Sequence, residues 1–239
     1  MTTTCVESAA AAKEMPAEYR DILIHQLLAH TEGELSGADA YRLGLPFAPN
    51  AEELQVLYSS AADEIGHYMM GAKLLAELGH DASCMLRTKV EERFHYPSEF
   101  VLEYGNWAER GLTSMLAESA ALEHLVEFRD SSYKPFAAIV EQVIREESVH
   151  VAHGKRIVRA LCESDAGRLA VQSVLDRKWG QCLDLFGSST SRRSLLFLKW
   201  GLRTRPNEVA RQDWIARTRP KLLELGLDVP ENHVNRQFM

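Results

Sequence analysis

Carboxylate and imidazole side chains fall in this chain at spacings that suit a metal site. Glu64 and His67 form one Glu-x-x-His pair, and Glu147 and His150 form a second. Because positions i and i+3 lie on the same face of a helix, each pair presents a carboxylate and an imidazole in one direction. A doubled motif is far more specific than a single Glu-x-x-His, which any helix-rich protein can contain by chance.

A further glutamate precedes each pair at nearly the same distance. Glu34 precedes Glu64 by 30 residues, and Glu118 precedes Glu147 by 29. The order carboxylate, Glu-x-x-His, carboxylate, Glu-x-x-His is the one that a di-iron or di-manganese site in a ferritin-like four-helix bundle requires. The sequence therefore predicts a metal site formed by Glu34, Glu64, His67, Glu118, Glu147 and His150.

For two of these six positions, another glutamate nearby in the sequence could be the metal ligand instead. Glu32 is an alternative to Glu34, and Glu123 is an alternative to Glu118. The apolar stripes favour Glu34 and Glu118, since a carboxylate on a buried face has to be paired or ligated. A carboxylate-rich set with only two histidines favours iron, with manganese as the alternative, over zinc held by thiolates.

Two residues beside the motifs are candidates for a supporting role. Asp63, directly before Glu64, is placed to hold a ligand histidine through its second ring nitrogen, and an ordinary exposed aspartate is the competing interpretation. His153 lies one turn after His150 and is a weaker candidate for the same role. A partly exposed helical histidine is the simpler interpretation of His153.

Apolar periodicity defines the helices that would position these residues. Two helical hairpins are predicted over residues 16–79 and 98–162, the second beginning at Pro97–Ser98. A long connection over residues 80–97 joins them. The short connection inside each hairpin makes its two helices antiparallel, as in a four-helix bundle.

The remaining segments complete the predicted organisation. Residues 1–15 are expected to form a flexible leader, and residues 16–239 a single ferritin-like domain. Further helices are expected within residues 165–225, with Asn207 as an amino-terminal cap, and Gly79 fits the carboxyl-terminal cap of the first hairpin. No alternating strand pattern is present. The predicted fold class is all-α, a ferritin-like four-helix bundle with a long crossover and additional carboxyl-terminal helices.

Composition argues against several classes of function. The net charge of −7 disfavours nucleic-acid partners, including an RNA substrate. The apolar run Leu195–Leu198 is too short to cross a bilayer, so no membrane association is expected. The four cysteines show no Cys-x-x-Cys spacing, and a disulfide framework is not expected in a chain of this length. A cytoplasmic location is therefore expected.

The chain also resembles a known family at the motifs and well beyond them. It is similar to the phenylacetic acid catabolic family of ferritin-like di-iron oxygenases, in particular to the catalytic subunits of phenylacetyl-CoA epoxidase. The resemblance runs from about Met15 to about Glu231. The segments that carry it are MPAEYRDILIHQ (15–26), ADEIGHYMMGAKLLAELG (62–79), SSYKPFA (131–137), REESVHVAHG (145–154) and RPKLLELGLDVP (219–230).

The resemblance implies a complete oxygenase chemistry. It implies the six ligands named above, two iron ions, dioxygen as co-substrate, and a small organic substrate that is hydroxylated or epoxidised. It also implies an electron-donating reductase and either a sister structural subunit or a homodimer. The alternatives are that the chain is itself a structural subunit of such a complex, or a ferritin-like protein that handles iron or peroxide.

Departures from the family pattern concern the substrate. The family holds its coenzyme A arm with an arginine, a glutamine and a lysine, and the matching positions here are His25, Ala29 and Ser60. The asparagine that matches Asn207 is kept, and Glu118 stands where aspartate is usual. Losing two cations removes charge-assisted contacts to phosphates. From these four candidate residues of the substrate pocket we predict that the substrate differs from that of the family. Whether it is thioester-linked stays open.

Overall fold

The structure, a computed structural model, describes residues 5–93 and 104–236. Regular structure in these ranges is helical, apart from one isolated β-bridge between Val6 and Tyr133. The predicted all-α class is therefore confirmed. None of the described helices combines the length and the apolarity that a membrane crossing requires.

Nine α-helices make up the described part of the chain. They are α1 (Ala9–Glu14), α2 (Ala17–Gly44), α3 (Ala51–Glu77), α4 (Trp107–Thr113), α5 (Ser119–Phe128), α6 (Lys134–Cys162), α7 (Asp165–Asp184), α8 (Arg192–Lys199) and α9 (Asn207–Glu224). A π-helical turn, Ser114–Glu118, joins α4 directly to α5. Short 3₁₀ turns occupy Leu45–Phe47, Ser83–Arg87 and Val90–Glu92.

The bundle consists of two helical hairpins. Helices α2 and α3 pack along each other, and α6 packs against α4, the π turn and α5. Contacts between α3 and α6 join the two hairpins. The predicted helix start at Pro97–Ser98 lies outside the described residues. Residues 104–106 are not helical, so the predicted helix does not run unbroken to Trp107. Helix α4 begins at Trp107, where the Asn106 side chain caps it by accepting a hydrogen bond from the Glu109 backbone N–H at 3.0 Å.

Local sequence signals account for the ends of these helices. The Asn50 side chain caps α3 by accepting from the Glu53 backbone N–H at 2.8 Å. Gly79 follows α3 with φ of +91°, a conformation that glycine adopts without the steric penalty of a Cβ. Asn207 is the first residue of α9 rather than its cap, a one-residue difference at a helix boundary.

Two hydrophobic clusters hold the helices together. One lies among α2, α3, α5 and α6 and includes Leu23, Leu75 and Phe136. The other lies beneath the carboxyl-terminal helices, where the rings of Trp179 and Trp214 stack on each other with their centroids 5.2 Å apart. Both rings belong to the same cluster as apolar residues of α4 and the π turn. Helices α7 and α9 therefore cover the side of the bundle that carries Glu118.

The amino-terminal segment differs from the flexible leader that the sequence predicts. Over residues 5–15 it packs against the bundle, and Val6 is only 1% exposed. The Val6 backbone N–H donates to Ser132 O at 2.8 Å, and Val6 O accepts from the Lys134 N–H at 3.0 Å. An isolated valine gives too weak a periodic signal to predict this contact from the sequence.

Candidate metal centre

Six buried side chains converge inside the bundle. We call them the carboxylate–histidine cluster: Glu34 of α2, Glu64 and His67 of α3, Glu118 of the π turn, and Glu147 and His150 of α6. Each Glu-x-x-His pair points inward because its two residues share one face of a straight helix. The structure thus brings together all six residues that the sequence singled out.

The cluster divides into two groups, each with ligand atoms within 4.8 Å of one another. The first group contains Glu34, Glu64, His67 and Glu147, and the second contains Glu118, Glu147 and His150. Glu147 belongs to both groups, as expected of a carboxylate that lies between two ions. Neither Glu32 nor Glu123, the competing positions, belongs to either group among the described residues.

Both imidazoles direct their Nδ1 atoms toward the carboxylates. His67 Nδ1 lies 3.1 Å from Glu34 Oε2 and 3.4 Å from Glu147 Oε1. His150 Nδ1 lies 3.5 Å from Glu64 Oε1 and 3.6 Å from Glu147 Oε1. Glu64 and Glu147 therefore stand between the two histidines, and Glu34 stands beside His67.

The outer nitrogens of the two histidines are held by reciprocal contacts between α3 and α6. His67 Nε2 lies 2.7 Å from Glu146 Oε2, and His150 Nε2 lies 3.2 Å from Asp63 Oδ2. Each acid directly precedes the glutamate of one motif and contacts the histidine of the other motif. Such contacts fix ring orientation and tautomer at a metal site. The sequence suggested Asp63 but did not single out Glu146, although an acid precedes both motifs.

Glu118 has a different environment from the other carboxylates. Arg110 Nη2 donates to Glu118 Oε1 at 2.6 Å, and the Tyr41 hydroxyl donates to Oε2 at 3.2 Å. The Arg110 guanidinium is fully buried and lies over the Tyr41 ring at 4.1 Å. The π turn that carries Glu118 is a form of helix often found at functional sites. Neither Arg110 nor Tyr41 had a signal in the sequence, since neither belongs to a motif.

Charges in the cluster are arranged to attract cations. Burial, followed by repulsion from Glu147, raises the pKa of Glu64 to about 8. Burial opposes a charge on His150, but Glu147 and Glu64 outweigh it and raise the pKa of the imidazole to about 11. The same balance raises the pKa of His67 well above its ordinary value. Without a metal the cluster therefore holds protons that a cation would displace.

A cavity of about 280 Å³ opens beside the cluster. Glu34, Glu64, Glu118 and Glu147 form part of its wall. The rest of the wall comes from α2, the π turn, α5 and the residues around α8. The cavity thus runs from the carboxylates to the residues around α8.

The remaining candidate residues divide between the cavity and other environments. His25 and Ala29 line the cavity, whereas Ser60 and Asn207 are buried outside its lining. The Asn207 side chain holds the loop before α9 by accepting from Arg203 at 2.7 Å. His153 does not support the cluster as suggested, because its Nε2 lies 2.7 Å from Glu53 Oε2 in the first turn of α3.

Comparisons with known proteins identify a family that matches this chain. The family described as "Phenylacetic acid catabolic protein" matches residues 1–237 of the chain. The chain is also 28% identical over 220 residues to one of the subunits of 1,2-phenylacetyl-CoA epoxidase from Escherichia coli (strain K12). That alignment covers 91% of this chain and 71% of the relative.

Proposed function

The chain belongs to the phenylacetic acid catabolic protein family, and from that premise we propose that it is a non-haem di-iron monooxygenase. The proposed reaction inserts one oxygen atom from dioxygen into a small organic substrate by hydroxylation or epoxidation. The relative from Escherichia coli, an epoxidase by name, supports an oxygenase. The observation that carries the proposal is the buried carboxylate–histidine cluster beside a cavity.

The residues present fit a pair of divalent cations. Four buried glutamates lie close together, a charge arrangement that is costly without cations. His150 Nδ1 is buried, faces Glu64 and Glu147, and has no hydrogen-bond partner among the described residues. A metal ion would satisfy this nitrogen. The oxygen-rich set favours iron, as does the family, and manganese is the alternative ion.

Each part of the cluster has a distinct role in this proposal. Glu34, Glu64 and His67 would hold one ion, Glu118 and His150 would hold the other, and Glu147, which belongs to both groups, would contribute to each. When bound, the iron pair supplies the redox chemistry that activates dioxygen. The protein contributes fixed ligand positions on four packed helical segments, which keeps the geometry from relaxing during the reaction.

The contacts outside the cluster set its orientation. Glu146 and Asp63 each accept a hydrogen bond from the outer nitrogen of a histidine, which leaves Nδ1 free to face the metal. Arg110 and Tyr41 donate to Glu118 and so restrict where its carboxylate can move. These four residues are positioning residues, because they act through the ligands.

The cavity wall determines what reaches the metal pair. Ala117, Ala121 and Leu125 form an apolar strip that begins beside Glu118. Such a strip excludes water from the reacting region and holds an apolar substrate against the carboxylates. We expect electrons from a separate reductase, and a sister subunit or second copy as partner, since the Escherichia coli relative is by name one subunit of its enzyme.

The substrate is expected to differ from that of this relative. His25 and Ala29 line the cavity at positions where the family resemblance implies groups that bind coenzyme A. In that pattern His25 replaces an arginine and Ala29 replaces a glutamine, so a coenzyme A arm would lose one charge-assisted contact and one hydrogen bond on this wall. Turnover of phenylacetyl-CoA with a reductase, at a rate ordinary for an enzyme, would refute this change of substrate.

Anaerobic loading with Fe(II) tests the metal centre. We expect about two irons per chain in the wild type, and incorporation of ¹⁸O from ¹⁸O₂ into product once substrate and reductant are supplied. The His150→Ala variant should lose iron while remaining helical. His153→Ala is the matched control, because His153 is also a buried histidine of α6 but contacts Glu53 instead of the cluster.

The outcomes separate the competing functions. Absence of bound iron or manganese in the wild type would favour a structural subunit. Loading far above two ions would favour iron storage, and consumption of peroxide without oxygen insertion would favour detoxification. Equal iron content in His150→Ala and the wild type would overturn the ligand assignment.

A further inference from the structure

The end of the cavity remote from the carboxylate–histidine cluster has its own polar groups. Gln26, His30 and Glu34 follow one another at intervals of one turn along α2, and all three line the cavity. At a rise of about 1.5 Å per residue, Gln26 lies about 12 Å along the helix from Glu34. The cavity therefore has a metal end at Glu34 and a remote end near Gln26.

Apolar side chains occupy the wall between these two ends. Ala117, Ala121, Leu125 and Phe128 lie at helical spacing on the π turn and α5, and Phe186 adds a ring near the remote end. The side chains are small beside the metal end and larger farther away. This shape suits a compact aromatic or alkyl body lying along α2.

Arg203 stands at the remote end with an unsatisfied donor. Its side chain lines the cavity and is only about one-tenth exposed, and its Nε has no hydrogen-bond partner among the described residues. Its other nitrogens donate to Asn207 Oδ1 at 2.7 Å and to His124 Nδ1. A buried N–H without an acceptor is unusual and indicates a missing partner.

The charge of Arg203 is also incompletely balanced. Burial, followed by the charge of Arg203 itself, lowers the pKa of His124 well below its ordinary value, so this histidine accepts as a neutral group. Both hydrogen-bond partners of Arg203 are therefore neutral. Glu127 forms an ion pair with Arg203, at 3.6 Å from Nη2, but the same carboxylate also pairs with the Arg205 guanidinium at 3.5 Å and accepts from the Arg205 backbone N–H at 3.1 Å. A buried guanidinium in this position favours an anionic ligand.

Gln26 lies beside this group. Its Nε2 donates to Leu202 O at 3.4 Å, next to Arg203 in the chain, and keeps a second N–H. Gln26 Oε1 has no partner among the described residues, so it offers an acceptor to a hydroxyl or amino group on the same ligand.

We propose that the remote end of the cavity binds the carboxylate of a small apolar acid, with Arg203 Nε–H donating to it, and that the substrate is this free acid. The volume of about 280 Å³ lies near the lower end of the range for small-molecule sites. A free acid would fill the cavity with its apolar body toward the metal end and its carboxylate beside Arg203. The orientation toward the metal rests on the proposed oxygenase function, whereas binding of the carboxylate does not require a metal.

Binding of matched probes tests this inference on the intact chain. The probes are phenylacetate, benzoate and hexanoate as acids, phenylacetamide as the neutral counterpart of phenylacetate, and phenylacetyl-CoA as the thioester. Each is titrated calorimetrically into metal-free and iron-loaded protein under anaerobic conditions. We expect at least one acid to bind both forms, and phenylacetate to bind at least about tenfold more tightly than phenylacetamide.

Variants of two neighbouring arginines locate the anchor. Arg203→Met should weaken binding of the acid by about 10- to 100-fold, the effect of losing a hydrogen bond to a charged group. Arg205→Met is the matched control, because Arg205 also pairs with Glu127, at 3.5 Å, but is not part of the described cavity lining, so it removes a cation from the same carboxylate without removing the anchor. Circular dichroism and iron content show whether each variant folds and loads metal.

Several results would overturn the inference. These are no binding by any acid of the panel, equal binding of phenylacetate and phenylacetamide, acid binding by the iron-loaded form alone, or acid binding that is unchanged in Arg203→Met. Tighter binding of phenylacetyl-CoA than of every free acid would also overturn it. Iron content is measured separately, so failure of the metal centre is distinguishable from failure of the carboxylate anchor. If Arg203→Met does not fold, the comparison of acid with amide on the wild type still decides.

Discussion

Gly37 offers a sharp test of how Glu64 is positioned. It lies one turn after Glu34 on α2 and faces α3, so that an added Cβ would lie 2.7 Å from Glu64 Cδ and Oε2. Ordinary van der Waals contact begins at 3.4 Å. In a Gly37→Ala variant the Glu64 carboxyl group would therefore have to retreat by roughly 0.7 Å, whereas metal–ligand distances tolerate only about 0.2 Å.

The expected effects on stability and on metal affinity have opposite signs. Replacing a helical glycine by alanine stabilises the helix by about 1 kcal/mol, and the contacted atoms are the far end of a flexible side chain. The metal-free variant should therefore fold with a stability close to or above that of the wild type. Metal affinity should fall by about 10- to 100-fold, or about 1.4–2.7 kcal/mol, the range seen when ligand positioning is disturbed.

The measurement compares Gly37→Ala with Gly66→Ala. Gly66 lies in α3, and a Cβ there meets nothing within 4 Å, so this control carries the helix effect without the contact. Thermal unfolding of the metal-free proteins gives the stability, and anaerobic titration with Fe(II) or Mn(II) gives the affinity. Wild-type affinity in Gly37→Ala would refute the placement of Glu64. Loss of helicity in Gly37→Ala alone would show that the backbone, not the carboxylate, absorbs the contact.

Two further perturbations test the surroundings of the cluster. Asp63→Asn should weaken metal binding by about tenfold or more, because the amide cannot hold His150 Nε2 as a carboxylate does. Its control is Glu52→Gln, on the exposed start of α3, and both affinities are measured by Mn(II) titration. Equal affinities of the two variants would contradict the role of Asp63. Metal binding should also release protons, because the pKa values of Glu64 and His150, about 8 and about 11, lie above neutral pH in the metal-free protein. The logarithm of the metal affinity should therefore rise steeply from about pH 6 to about pH 8, and less steeply above about pH 8, where Glu64 is already ionised. Calorimetry in buffers of different ionisation enthalpy measures both the affinity and the protons released. A metal affinity independent of pH would show that no proton is displaced.

The residues of the cluster could be predicted from sequence because helical geometry alone relates them. Glu64 with His67, and Glu147 with His150, share a face whatever the rest of the fold does. Recurrence of the pattern after Glu34 and Glu118 then required four helical segments. The helical class followed from the same periodicity.

Supporting contacts could be predicted only in part. Asp63 is a candidate from sequence because it precedes Glu64, yet its partner is a histidine 87 residues away on another helix. Its counterpart Glu146 contacts His67 across 79 residues, and no sequence signal singled it out. His153 is a candidate for the same role and instead contacts Glu53, because it lies one turn farther along α6 than His150 and so reaches the first turn of α3.

The sequence by itself determined which groups share a helix face, and hence the two Glu-x-x-His pairs at the centre of the cluster. Only the tertiary structure decided that Glu34 rather than Glu32 joins it, that Arg110 holds Glu118, and that a cavity runs from the cluster to Arg203. The physical reason is that periodicity fixes the direction of a side chain relative to its own helix axis. The rotation of that helix against its neighbours, and the space left between them, depend on packing among residues far apart in the chain.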